Sequence, residues 1–74
     1  MEKNEVKAVQ LFRKAAEQGN ALAQILLAGC YLDGVGVEKD ENEAVKWLNK
    51  AVAQGHAGAR EILETIGANR GSNA

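Results

Sequence analysis

Cys30 and His56 are the side chains with the most reactive chemistry in this sequence. A thiol and an imidazole make a nucleophile and its base, but only within hydrogen-bond reach of one another. They are also the single cysteine and the single histidine of the 74 residues. One chain therefore cannot build a disulfide framework or a multi-ligand zinc site. The third feature is the loop Gly34-Val35-Gly36-Val37, whose glycines invite comparison with a phosphate-binding turn. No strand-like run precedes it, no third glycine completes the dinucleotide pattern, and no P-loop lysine follows. A turn between two helices accounts for it.

The elements that must position these residues are written in an internal repeat. Ala8-Val9 recurs 36 positions on as Ala44-Val45, Lys14-Ala15 as Lys50-Ala51, and Gln18-Gly19 as Gln54-Gly55. Ala21, Ala23 and Leu27 recur as Ala57, Ala59 and Leu63, and Leu11-Phe12 aligns with Trp47-Leu48. A fixed period of this length marks a repeat architecture in which each unit buries its apolar face only against its neighbours. The register also sets Cys30 level with Ile66, ten positions from His56. At 1.5 Å rise per residue the two lie about 15 Å apart along a helix axis. They are not expected to touch, and no catalytic residue is expected.

Each unit carries two helical stretches. The first type spans about Glu5–Gln18 and Glu41–Gln54. Its apolar set is Ala8, Leu11, Phe12, Ala15 and Ala16 in one copy, and Ala44, Val45, Trp47, Leu48, Ala51 and Val52 in the other. Gln10, Arg13, Lys14 and Glu17 fall opposite. Asn4 and Asp40 are the expected N-caps, with Glu43 at capping-box spacing from Asp40. Gly19 and Gly55 follow these helices where the chain must turn left-handed. The second type spans Ala21 to about Leu32 after Asn20, and Ala57 to about Ile66 after His56. The expected domain is therefore 1–66, with 67–74 a frayed tail.

Composition and charge exclude other classes. Proline is absent and aromatics are scarce, so helix is favoured throughout. Nine basic and ten acidic residues give a net charge of -1, with no basic cluster for nucleic acid or a membrane surface. The mixed-charge opening lacks the apolar region of a signal peptide. No run approaches the roughly 18 apolar residues of a membrane span. A lone cysteine fits a reducing compartment, and a cytoplasmic location is expected.

The run Ala23-Gln24…Leu27-Ala28…Tyr31…Gly34-Val35-Gly36-Val37…Asp40…Ala44…Trp47…Lys50-Ala51…Gln54-Gly55…Ala57…Ala59 resembles the Sel-1-like repeat, a longer relative of the tetratricopeptide repeat. Gly19 belongs to the same pattern one unit earlier. Ala28 stands where that family usually has glycine, and the helix order reads B-A-B-A. The resemblance implies an all-α fold, with antiparallel helix pairs in a right-handed superhelix, and an adaptor role without cofactors. A cysteine-rich branch of the family is associated with β-lactam hydrolysis, but its second cysteine of each pair is missing here.

The stretch Ala21–Leu32 has one clearly polar residue, Gln24, and a helix apolar all round is normally surrounded. Both B helices and the final A helix are expected around it, with Ala23, Leu27 and Tyr31 in the unit core. A second stripe, Leu22, Ile25, Gly29 and Leu32, becomes Gly58, Glu61, Thr65 and Ala68 in the last helix, the pattern of a terminal cap. Alignment with the tetratricopeptide core turns Leu22, Ile25, Gly29, Leu32 and Asp33 toward the concave side. These residues, with Glu61 and Thr65, are the candidate partner-binding set for an unidentified protein or peptide. The alternative is a self-associating structural unit or a fragment of a longer array, since solenoids usually need about three repeats and this chain holds about two. Burial of both Leu22 and Ile25 within one chain would remove the binding-face reading.

Overall fold

The computed structural model describes residues 3–72, with side-chain surroundings for residues 4–68. Four helices follow one another: α1 Lys3–Glu17, α2 Ala21–Asp33, α3 Glu41–Ala53 and α4 Ala57–Ser72. No strand occurs among the described residues.

The two short turns repeat the same hydrogen bonds. Asn20 N–H donates to Ala15 O and Gly19 N–H to Ala16 O. In the second turn, 36 residues later, His56 donates to Ala51 O and Gly55 to Val52 O. This is the Schellman pattern, which requires a left-handed residue at its centre. Gly19 and Gly55 supply it at φ +98° and +88°. The turns differ at their last residue. Asn20 Oδ1 accepts from Ala23 N at 2.9 Å and caps α2, whereas His56 Nδ1 is buried with no hydrogen-bond partner. His56→Asn is therefore expected to stabilise the chain by about 0.5–1 kcal/mol by supplying the absent cap. Urea unfolding followed by the single tryptophan, Trp47, would measure it.

The longer connection, 34–40, is fastened at both ends. Val35 N–H and Gly34 N–H both donate to Cys30 O, and Asp40 N–H donates to Tyr31 O at 2.9 Å. Asp40 Oδ1 in turn accepts from Glu43 N, so Asp40 is the N-cap of α3 as its sequence position suggests. The reciprocal half of the capping box does not form. Glu43 pairs instead with Lys46 at 3.2 Å, because Tyr31 O already takes the Asp40 N–H.

α2 packs against α1 on one side and α3 on the other, and α4 rests on α3. The expected packing of α4 against α2 is at most slight among the described residues. The molecule is a slab of 36 × 28 × 14 Å, so few positions are enclosed on all sides. Leu27 and Leu48 are the largest fully buried side chains, and much of the remaining core is alanine: Ala16, Ala23, Ala28, Ala44, Ala51 and Ala59. Small side chains let the helix backbones approach closely. Ala28, at the position where the resemblance implies glycine, is fully buried.

Three expectations are corrected. Asn4 lies inside α1 and cannot be its N-cap. The final helix continues past Ile66 to Ser72, because the glycines at 67 and 71 cost only about 1 kcal/mol each in a helix. The rest of the expected tail, 73–74, lies outside the described residues. The third correction concerns α1, which faces its neighbour with Val9 and Ala16, and with Arg13 half-buried. Leu11, expected in the core, is 68% exposed. The cause is that α1 carries two apolar stripes and only one has a neighbour. Arg13, expected on the polar side, turns inward and donates to the Tyr31 hydroxyl at 2.6 Å.

Candidate partner-binding face

α2 presents its stripes differently to the protein and to solvent. Ala23, Leu27 and Tyr31 are buried, as their spacing of four requires for one face. Gln24 is buried beside them although it is polar, and both ends of its amide are satisfied. Its Nε2 donates to Ala16 O at 3.1 Å, and its Oε1 accepts from Gln54 Nε2 at 3.1 Å. One side chain thus ties the ends of α1 and α3 to α2. The sequence marked Gln24 only as an exception, and its function is this bridge.

On the other side of α2, Leu22 is 59% exposed and Leu26 is 43% exposed. Ile25 and Leu32 are half-buried and lean on the core. Gly29 is partly exposed, and a Cβ there would meet nothing within 4 Å. Asp33 is exposed at the helix end. Leu26 was not among the expected residues, yet its i+4 spacing from Leu22 was the available signal. On α4 the corresponding positions Glu61 and Thr65 are exposed, and Thr65 Oγ1 is turned back onto Glu61 O at 3.0 Å. The apolar stripe of α2 therefore gives way to a polar one on α4. The structure does not bring Glu61 and Thr65 into contact with the α2 residues.

Two clefts border the helix ends. A cavity of about 440 Å³ lies between the ends of α1 and α3, floored by Gln24 and flanked by Glu17, Trp47, Lys50 and Gln54. The Lys50 ammonium sits 5.8 Å from the Trp47 ring. A smaller cavity of about 250 Å³ is bordered by Val52, His56 and Arg60.

Cys30 lies at neither cleft. It is half-exposed. Partial burial, then the negative charges of Asp33 and Glu5, push its pKa up. A nucleophilic cysteine needs the opposite shift, because the thiolate is the reactive form. Its electrostatic neighbours are carboxylates, and no imidazole is among them. No group of three or more His, Cys, Asp or Glu that could hold a metal ion occurs among the described residues. No helix among them is long and apolar enough to cross a membrane.

The family model of the Sel1 repeat matches residues 1–20 and 21–56. The division falls at the start of α2, so residues 21–56 hold one complete A–B pair and 1–20 hold the B helix before it. Among solved structures, the chain is similar to a Sel1 repeat protein from Oxalobacter formigenes. The two share 43% identity with a TM-score of 0.75, over 78% of this chain. The match spans only 17% of that longer protein. No curated protein sequence matches the chain.

Proposed function

Because the chain belongs to the Sel1 repeat family, whose members are generally protein-interaction modules, we propose that it is a non-catalytic scaffold holding a partner segment on the concave, exposed side of α2. The carrying observation is the exposure of Leu22 and Leu26 on one helix face. Two large apolar side chains side by side in water are an unfavourable arrangement that a partner would relieve, at about 25 cal/mol per Å² covered. Gly29 supports the same reading. A glycine inside a helix costs about 0.5–1 kcal/mol relative to alanine, and the free space above it leaves no internal packing reason for it. A missing Cβ on the exposed stripe lets another backbone come close.

Leu22, Ile25, Leu26 and Gly29 would supply the apolar contacts, with Leu32 and Asp33 at one end. Glu61 and Thr65 would form a polar rim. The proposal includes no cofactor, nucleic acid or membrane, and a cytoplasmic setting, which the unpaired Cys30 supports. The module in this reading comprises the four helices α1 to α4.

Leu22→Asp tests it. The exposed position accepts the charge with little loss of stability, and capture of binding proteins by the immobilised chain is expected to fall at least tenfold. Glu38→Lys, on the exposed loop, is expected to leave capture intact. Capture that survives Leu22→Asp would exclude this face.

A further inference from the structure

The cleft between the ends of α1 and α3 has no part in the binding face described above. Its volume, about 440 Å³, falls within the roughly 300–1,000 Å³ of small-ligand sites. Its floor is fixed, because Gln24 is only 3% exposed and its amide is held by Ala16 O at one end and Gln54 Nε2 at the other. Its walls are charged and aromatic: Glu17 from α1, Trp47 and Lys50 from α3.

Several sources of negative potential meet here. α1 ends at Glu17 and α3 at Ala53, and both residues border the cleft. Two helices therefore bring their carbonyl ends to it, each equivalent to about half an elementary charge. Glu17 adds a full charge, and among the described residues it has no ion-pair partner. The face of the Trp47 ring attracts cations as well. Against these stands one cation on the cleft, Lys50, whose ammonium lies 5.8 Å from the ring centre. About two negative charges thus face one positive charge, and the cleft still favours a cation. Lys50 is exposed, so it can leave the ring at little cost.

We propose that this cleft binds a guanidinium group, which displaces the Lys50 ammonium from the Trp47 ring. A guanidinium is planar and stacks on the indole while the N–H groups at its edge stay free to donate. Glu17 supplies a carboxylate for them. Gln54 turns its Nε2 to Gln24, which leaves its Oε1 as a second acceptor. An ammonium cannot stack and bridge in this way. It is also the better hydrated cation, so the exchange returns to water the group that gains more from water. Lys50 is then a tethered competitor and not a contact of the ligand. An anion fits less well, because Glu17 and both helix ends would repel it.

The inference goes beyond the interaction reading and uses no residue of the exposed α2 stripe, so either can fail alone. Trp47 is the single tryptophan, and its fluorescence in the full chain reads the site directly. The probe is N-acetylarginine amide at constant ionic strength, beside its uncharged isostere N-acetylcitrulline amide, N-acetyllysine amide and acetate. A saturable change with a dissociation constant of order 1 mM is expected for the arginine compound. The lysine compound should bind at least fivefold more weakly, and the citrulline compound should give no saturable change. Lys50→Gln should tighten binding at least threefold, and Glu17→Gln should weaken it at least threefold. Both positions are exposed, and circular dichroism checks that the helices persist. A capped pentapeptide with a central arginine separates the two sources of the group. Tighter binding than the amino-acid amide assigns the site to arginine within a chain, and equal binding to a free guanidino compound; the guanidinium is the recognised group in both. Equal responses to the arginine and citrulline compounds, tighter binding of acetate, or weaker binding after Lys50→Gln would overturn the proposal.

Discussion

Gly36→Ala is expected to lower the unfolding free energy by about 2–4 kcal/mol. Two costs combine. Gly36 has φ +71°, and a residue with a Cβ loses about 1–2 kcal/mol there. The added carbon would also lie 2.5 Å from Glu5 O and 2.8 Å from Val9 Cγ2, so the loop must lift away from α1. The first of these neighbours is backbone and cannot rotate aside. Val9, one of the buried anchors of α1, would be uncovered with it. Gly34 is the control. Its φ is the same +71°, but its Cβ would meet only Lys39 Cβ at 3.5 Å, an ordinary contact. Gly34→Ala should therefore cost about 1 kcal/mol. A chain of 74 residues has about 4–11 kcal/mol of stability in total. Gly36→Ala should thus shift a urea midpoint far more than Gly34→Ala, and equal shifts would refute the close approach of loop and helix.

The second large effect is a comparison between repeats. Leu48→Ala is expected to cost about 2–4 kcal/mol, because Leu48 is fully buried and its removal leaves a cavity. Phe12→Ala, at the equivalent place in the preceding repeat, should cost only about 1–2 kcal/mol although it removes a larger side chain. Phe12 is half-buried, so much of its surface gains nothing from folding. An ordinary core reading of the repeat would rank the two the other way. Chemical denaturation of both variants, read by Trp47 fluorescence, decides between these rankings. Equal or reversed costs would mean that α1 is covered as fully as α3.

The period of 36 residues, the glycine turns and the Asp40 cap were legible because local chemistry determines them. Gly19 and Gly55 turn left-handed whatever surrounds them, and Asp40 caps through its own backbone neighbours. The orientation of α1 was not legible for a physical reason. Its sequence carries the stripe of a helix packed on two sides, so Val9 and Leu11 are equally apolar. Only the neighbours present determine which one is buried. The bridging role of Gln24 was not legible either, since its partners lie 8 and 30 residues away. His56 illustrates the converse. Its register position matched that of Asn20, but an imidazole does not reproduce the capping bond of the amide.

The partner-binding stripe was legible as a pattern. Leu22, Ile25 and Gly29 share a helix face by spacing alone. Leu26 was passed over because α2 is apolar on nearly every side, which hides where one face ends. The polar residues that replace this stripe on α4 helped to separate the faces, since Glu61 and Thr65 have no place in a buried seam.

The most direct test of the interaction reading is site-specific photo-cross-linking of the full chain. A photoreactive side chain is placed at Leu22 on the exposed face of α2, and separately at Lys46 on the exposed side of α3. Leu22 is predicted to yield discrete adducts with another protein, lost when Leu26→Asp is added, and Lys46 to yield none above background. Equal labelling from both positions, or adducts at Leu22 only with further copies of this chain, would contradict it.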